Sequence, residues 1–193
     1  MKSAAPVKQT TSEINLREKA LLMLDKRGAL LDVAREVSRL MRKAGIPGAV
    51  IGGVAVLLHG HLRTTKDIAV ALNPPLESLA ELLTANGFTF DRRKREFVKY
   101  GVPVHLVLPE QVGTLPAAAV EIEGITTVTL VDLISMKLHS GSNDLLRAQD
   151  LADVIGLIRR RRLGSEFARQ LPKPLRPAFR KLARLIEREE SRE

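Results

Sequence analysis

Along the chain, apolar positions recur first at helical spacing, then at strand spacing, then at helical spacing again. Ile14, Leu16, Ala20, Leu21 and Leu24 fall at three- and four-residue intervals behind Ser12, which is placed to cap that helix. A second helix is predicted over Leu30 to Ala44, with Leu31, Ala34, Val37, Leu40 and Met41 on one face and Gly45 as its stop. Ile46 to Ile51 then reads as a short buried strand ending in the turn Gly52-Gly53. A short helix over Val54 to His59 and an aliphatic strand over Thr65 to Leu72 follow, the strand closed by Asn73-Pro74-Pro75.

Leu76, Leu79, Ala80, Leu82 and Leu83 give an amphipathic helix ended by Asn86-Gly87. The charged segment Asp91 to Arg95 leads into two strands, Glu96 to Tyr100 and Val102 to Leu108, whose separation by Gly101 predicts a hairpin. A further strand is expected over either Ala119 to Ile122 or Ile125 to Val128. Helices are predicted over Leu130 to His139, Leu145 to Arg162, Glu166 to Leu171 and Ala178 to Arg188, with Pro172, Pro174 and Pro177 between the last two. The order gives an α/β (α+β) class: a disordered lead (1–11), N-terminal helices (12–45), a mixed α/β core (46–128) and a C-terminal helical region (129–193).

Composition narrows the chemistry. The 193 residues contain no cysteine, which removes disulfide frameworks, thiolate metal sites and cysteine nucleophiles. No apolar run is long enough for a signal peptide or a membrane span, so a cytoplasmic protein without a membrane partner is expected. Lysine and arginine (31) exceed aspartate and glutamate (22), for a formal charge of +9, which favours polyanionic partners. Aromatic residues make up only 3%, too few for a base-stacking platform.

A strand ending in Gly-Gly and running into a helix exposes backbone N–H groups suited to phosphate. A carboxylate on the next strand, here Asp67, is placed to hold magnesium against such phosphates. Gly52-Gly53, the helix with His59-Gly60, then Arg63, Thr64, Thr65 and Asp67 resemble the signature of the DNA polymerase beta-type nucleotidyltransferase superfamily. The likeness is to its small prokaryotic branch, with the abortive-infection toxin and minimal nucleotidyltransferases. That pattern is a hydrophobic strand, Gly-Gly or Gly-Ser, about ten to twelve residues, then Asp-x-Asp inside a strand. Val102 to Leu108 resembles the later strand that carries a third carboxylate, and Leu133 to Leu138 with Asp150 to Val154 resembles the C-terminal helices of that branch.

The resemblance implies a small mixed sheet, a nucleoside triphosphate (NTP) as ligand, and Mg2+ or Mn2+ as cofactor. It implies that Gly52 and Gly53 approach the triphosphate, that Arg63, Thr65 and Lys137 lie at the nucleotide, that Asp67 is a metal ligand, and that Asp150 orients groups near the site. Read without it, Lys137 fits a solvated helix face, Asp150 and Asp153 fit pairing with Arg147 or Arg159, and Arg63 fits pairing with Asp67. His59 and His61 read as packing or capping groups.

The sequence departs from the pattern twice. The second carboxylate slot is Ala69 and the third is His105. Alanine supplies no ligand, and imidazole suits manganese or zinc better than magnesium, although it can accept a proton from an attacking hydroxyl. Asp91, Glu96, Glu121 and Glu123 are acids near these positions, and spacing singles out none of them. Expected, then, is a nucleotidyltransferase-fold protein with a degenerate two-metal site, weakly active or inactive, retaining nucleotide or nucleic-acid binding. Alternatives are an active transferase moving a nucleoside monophosphate to RNA or protein, of toxin-antitoxin type, and a non-catalytic scaffold with a protein partner. Arg92, Arg93, Lys94 and Arg95 form the expected nucleic-acid contact, whereas Arg159 to Arg162 fit simple complementation of a helix dipole.

Overall fold

The computed structural model describes residues 27–108, 118–143 and 145–192. The helix expected behind Ser12 lies outside the described residues. The elements run α1 (Arg27–Ala44), β1 (Gly48–Ile51), α2 (Gly52–Leu58), β2 (Ile68–Leu72), α3 (Glu77–Ala85), β3 (Thr89–Asp91), β4 (Glu96–Lys99), β5 (Val102–Val107), β6 (Ala119–Ile122), β7 (Ile125–Val128), α4 (Leu130–Asn143), α5 (Ala148–Arg161) and α6 (Arg176–Glu190). Short 3-10 turns at Leu145–Arg147, Ser165–Gln170 and Lys173–Leu175 join the last helices.

Seven strands form one mixed sheet in the order β3-β4-β5-β2-β1-β7-β6. β1 is antiparallel to β2 and parallel to β7, and β2 is parallel to β5. Alternation along the central strands sends side chains to two cores. Val50, Ile68, Val70, Leu72 and Val104 face α1 and α3, where Val37, Met41, Leu79 and Leu83 complete one core. Ala49, Ile51 and Ala71 face the other way, toward Leu133, Leu138, Val154, Leu157 and Phe179 of α4, α5 and α6. Apolar residues on both faces explain why the central strands read as continuous hydrophobic runs.

Several expectations are corrected. The strand expected from Thr65 begins at Ile68, leaving Asp67 just before β2, because Thr64 to Asp67 wrap over the glycine turn instead of joining the ladder. β3 was unexpected, and the charged segment is the turn of a β3-β4 hairpin: Asp91 Oδ1 accepts hydrogen bonds from the Arg93 N–H at 2.9 Å and the Lys94 N–H at 3.2 Å. Both strands offered as alternatives after residue 118 exist, paired as a hairpin. The helix expected from Leu145 starts as a 3-10 turn, and that expected over Glu166 to Leu171 is wholly 3-10. The β4-β5 hairpin turns at Tyr100-Gly101 with φ of 51° and 70°, the two left-handed positions a two-residue connection requires.

Candidate functional site

The register brings the site residues together. Ala69 of β2 lies opposite His105 of β5, and the pairing Phe97↔Val104 sets Glu96 of β4 on the other side of His105. A row Ala69, His105, Glu96 thus crosses three strands, and Asp67, just before β2, reaches the same side of the sheet beside His105. His105 Nε2 is 3.6 Å from Asp67 Oδ2 and 3.4 Å from Glu96 Oε2. Glu96 is buried, and its second carboxylate oxygen lies 3.5 Å from Lys94 Nζ.

The glycine turn, which is the first turn of α2 and not, as expected, a loop before a helix starting at Val54, stands over this row. Gly52 has φ +69°, and a Cβ added there would meet the Ala69 methyl at 3.6 Å, so the turn faces Ala69. A Cβ on Gly53 would lie 2.5 Å from Thr65 Oγ1 and 2.7 Å from Thr65 Cβ, so the absence of a side chain lets the Thr65 segment close against the turn. Thr65 Oγ1 is in turn 3.4 Å from the Asp67 carbonyl and 3.5 Å from its Oδ1.

Beyond Thr65 an ion-pair network ties the turn to the C-terminal helices. Arg63 Nη1 donates to Asp153 Oδ2 at 2.6 Å; Lys137 Nζ lies 2.5 Å from Asp150 Oδ1 and 2.8 Å from Asp153 Oδ2. Gln149 Nε2 donates to the other oxygen of Asp153 at 3.2 Å. Asp153 has no exposed side-chain surface and Lys137 only 10%. The structural readings of these residues therefore need correction: Arg63 pairs with Asp153, not Asp67, Lys137 is not on a solvated face, and Arg159 pairs with Glu189, not Asp150 or Asp153. The Arg147 reading holds at long range, its Nε being 3.8 Å from Asp150 Oδ2.

His59 and His61 have packing roles. Buried His59 donates from Nε2 to the Val128 carbonyl at 2.9 Å, and the His61 ring fills the space where a side chain at residue 156 would stand. Burial lowers the His59 pKa, with the positive charge of Arg161 acting the same way and the Val128 hydrogen bond opposing it. Glu121 and Glu123 pair with Arg42 and Arg35. Arg92, Arg93, Lys94 and Arg95 are all exposed on the β3-β4 turn. Arg95 lines an open cavity of about 950 Å³ together with His105, Phe90 and Phe97, so the basic turn borders the site from the side of α3.

The sequence reading named Asp153 and Glu96 without singling either out for the site. Asp153 carried a helical-pairing signal but none for its partners, which lie 16 and 90 residues away. Glu96 was legible by counting: a two-residue turn at Tyr100-Gly101 pairs Lys99 with Val102 and so puts Glu96 opposite His105.

These donors do not fit a pair of magnesium ions. Ala69 has no donor atom, His105 occupies the space between the two acids, and among the described residues no group of three His, Cys, Asp or Glu side chains is arranged to hold a metal. Magnesium needs oxygens at about 2.0–2.1 Å in near-octahedral order.

The sequence matches no protein-family model and no curated protein. Among solved structures, the chain is similar to an antigenic nucleotidyltransferase-like protein from Paracoccidioides brasiliensis, with a TM-score of 0.55 and 15% identity over 86% of this chain and 90% of that one. It is similar to ANT(2")-Ia in complex with adenylyl-2"-tobramycin, at TM-score 0.53 and 14% identity over 75% of this chain and 93% of that one. A protein from H. pylori assigned as a nucleotidyltransferase gives TM-score 0.50 and 16% identity over 86% and 98%. The chain has a nucleotidyltransferase-type fold. No helix among the described residues is long and apolar enough to cross a membrane.

Proposed function

We propose that this protein is a nucleotidyltransferase-fold binding protein whose two-metal centre has decayed, and that it holds a polyanion, nucleotide or nucleic acid, without transferring nucleotides at a useful rate. The row Ala69, His105, Glu96 carries the reading. In a two-metal site, ions roughly 4 Å apart clamp the attacking and leaving oxygens, and a carboxylate must bridge them. The bridging slot holds a methyl group, and the next holds an imidazole already in contact with both neighbouring acids. Losing about 4 kcal/mol of transition-state stabilisation slows a reaction about a thousandfold. The net charge of +9 supports an anionic ligand.

A second reading rests on Glu96. Asp67 Oδ2 and Glu96 Oε2 lie 3.6 and 3.4 Å from His105 Nε2, so the imidazole can take a proton from an attacking hydroxyl beside two acids, and Asp67 can meet a Mn2+ ion that arrives with the nucleotide. In that case the protein is a working transferase that modifies RNA or protein, as a toxin or its regulator would. Incubation with labelled nucleoside triphosphates, Mn2+ or Mg2+, bulk RNA and cell protein separates the two. The first reading expects no label transfer that depends on Asp67; transfer abolished by Asp67→Ala establishes the second.

A further inference from the structure

Charge is distributed unevenly between the sheet and the last helices. Residues 159–193 hold 12 of the 31 basic residues and 5 of the 22 acidic ones, a net +7 of the chain's +9, leaving 19 against 17 for everything before them. Arg35, Arg42, Arg63, Lys99, Lys137 and Arg159 each end on a carboxylate. Among the described residues, Arg180, Lys181, Arg184 and Arg188 of α6 have no such partner.

These four share one face. Together with Pro177 and Leu185 they line a shallow trough of about 560 Å³ along α6. Arg180, Arg184 and Arg188 recur every four residues, so two turns of helix present a cationic row about 12 Å long. The opposite face, Phe179, Ala183 and Ile186, is buried against the core. The Arg159-Glu189 pair ties the ends of α5 and α6 together, which brings exposed Arg160, Arg161 and Arg162 to the C-terminal end of the same helix.

We propose that the outer face of α6, centred on Arg180, Lys181, Arg184 and Arg188, is a docking surface for the phosphate backbone of a nucleic-acid double helix. A duplex carries one negative charge per about 1.7 Å of its axis, so a row of this length faces several phosphates. No aromatic side chain lines the trough, which disfavours a single strand held by base stacking. A membrane-surface helix needs an apolar face to insert, and that of α6 is spent on the core. Exposed Leu185 alone, 51% accessible among cations, does not make the apolar centre of a protein interface. The inference rests on the binding role proposed above and moves its principal contact from the β3-β4 turn to the C-terminal helices.

The test is fluorescence anisotropy of a labelled duplex RNA, with a DNA duplex of the same sequence as a second arm, against the full chain over a range of salt concentrations. Changing Arg180, Lys181, Arg184 and Arg188 together to alanine is expected to weaken binding at least about tenfold and to reduce the slope of log affinity against log salt by up to about 3.6 units, since each of the four phosphates left without its cation removes about 0.9 from that slope. Replacing the three arginines by lysine is expected to keep most of the binding, which separates a loss of charge from a misfolded helix. Changing Arg92, Arg93 and Arg95 to alanine is expected to remove the smaller part of the slope. If the parent binds a duplex but the α6 variant retains its affinity and slope, this assignment fails and the binding role stands. Binding to anionic vesicles or an acidic protein, with none to duplexes at low salt, overturns both the assignment and the nucleic-acid part of that role.

Discussion

On one flank of the glycine turn, Arg63, Lys137, Asp150 and Asp153 form a closed set of ion pairs, with Asp153 entirely buried. On the other, Asp67 and His105 stand 42% and 35% exposed around a methyl group. Both flanks are fixed by the same backbone: the turn after β1, the register of β2 with β5, and the packing of α4 and α5 on the sheet. They differ in what their side chains are for. The closed flank spends positions that the family resemblance assigns to phosphate contact on buried ion pairs, whereas the open flank, in the function proposed above, keeps the frame of a metal site without its ligands. Strand register persists on the strength of hydrophobic burial alone, so a site can lose its chemistry and leave its frame intact.

The comparison breaks most sharply at Asp153. Asp153→Ala leaves Lys137 and Arg63 short of a buried partner, and should cost about 3–5 kcal/mol in chemical denaturation. Asp67→Ala on the open flank should cost under about 1 kcal/mol, since its partner is loosely placed and solvent screens the pair. Equal costs would mean that the open flank is also structural.

A smaller effect is expected at the turn between the flanks. Gly53→Ala puts a methyl group into Thr65 and should cost about 1–3 kcal/mol; the added change Thr65→Gly should recover part of it, because the collision is with that side chain. Without recovery, the glycine serves something other than the closure of Thr65.

The mildest prediction concerns pH. His59 is held neutral by burial, so its folded pKa lies below 6.5 and the unfolded chain binds the proton first. Its contribution is therefore complete above about pH 6.5 and falls away progressively as pH drops toward the folded value. His59→Gln, which keeps a donor for the Val128 carbonyl but cannot titrate there, should flatten the fall in denaturation midpoint between about pH 7.5 and about pH 5.5.

How much of this was legible in the sequence depends on the range of the interaction. Gly52-Gly53, Asp67 and the hairpin at Gly101 are local signals, and the elements carrying them were expected from turn residues and apolar spacing. β3 was not, because Thr89-Phe90-Asp91 is three residues long and shows no buried alternation. The network at Asp153 joins α2's following loop to α4 and α5, an arrangement that only the folded chain creates. Glu96 lies between these cases, since its neighbour follows from hairpin register once the turn length is known.

The most direct test of the proposed decay of the metal centre is calorimetric titration of magnesium with a non-hydrolysable nucleoside triphosphate into the parent and into the double variant Ala69→Asp, His105→Asp. Two added acids beside Asp67 repel one another until a cation arrives, so the variant should be less stable alone and regain stability with the metal. The account predicts little or no magnesium-dependent binding by the parent and clear binding by the double variant. Magnesium-nucleotide binding by the parent as tight as that of the variant, and abolished by Asp67→Ala, would contradict it.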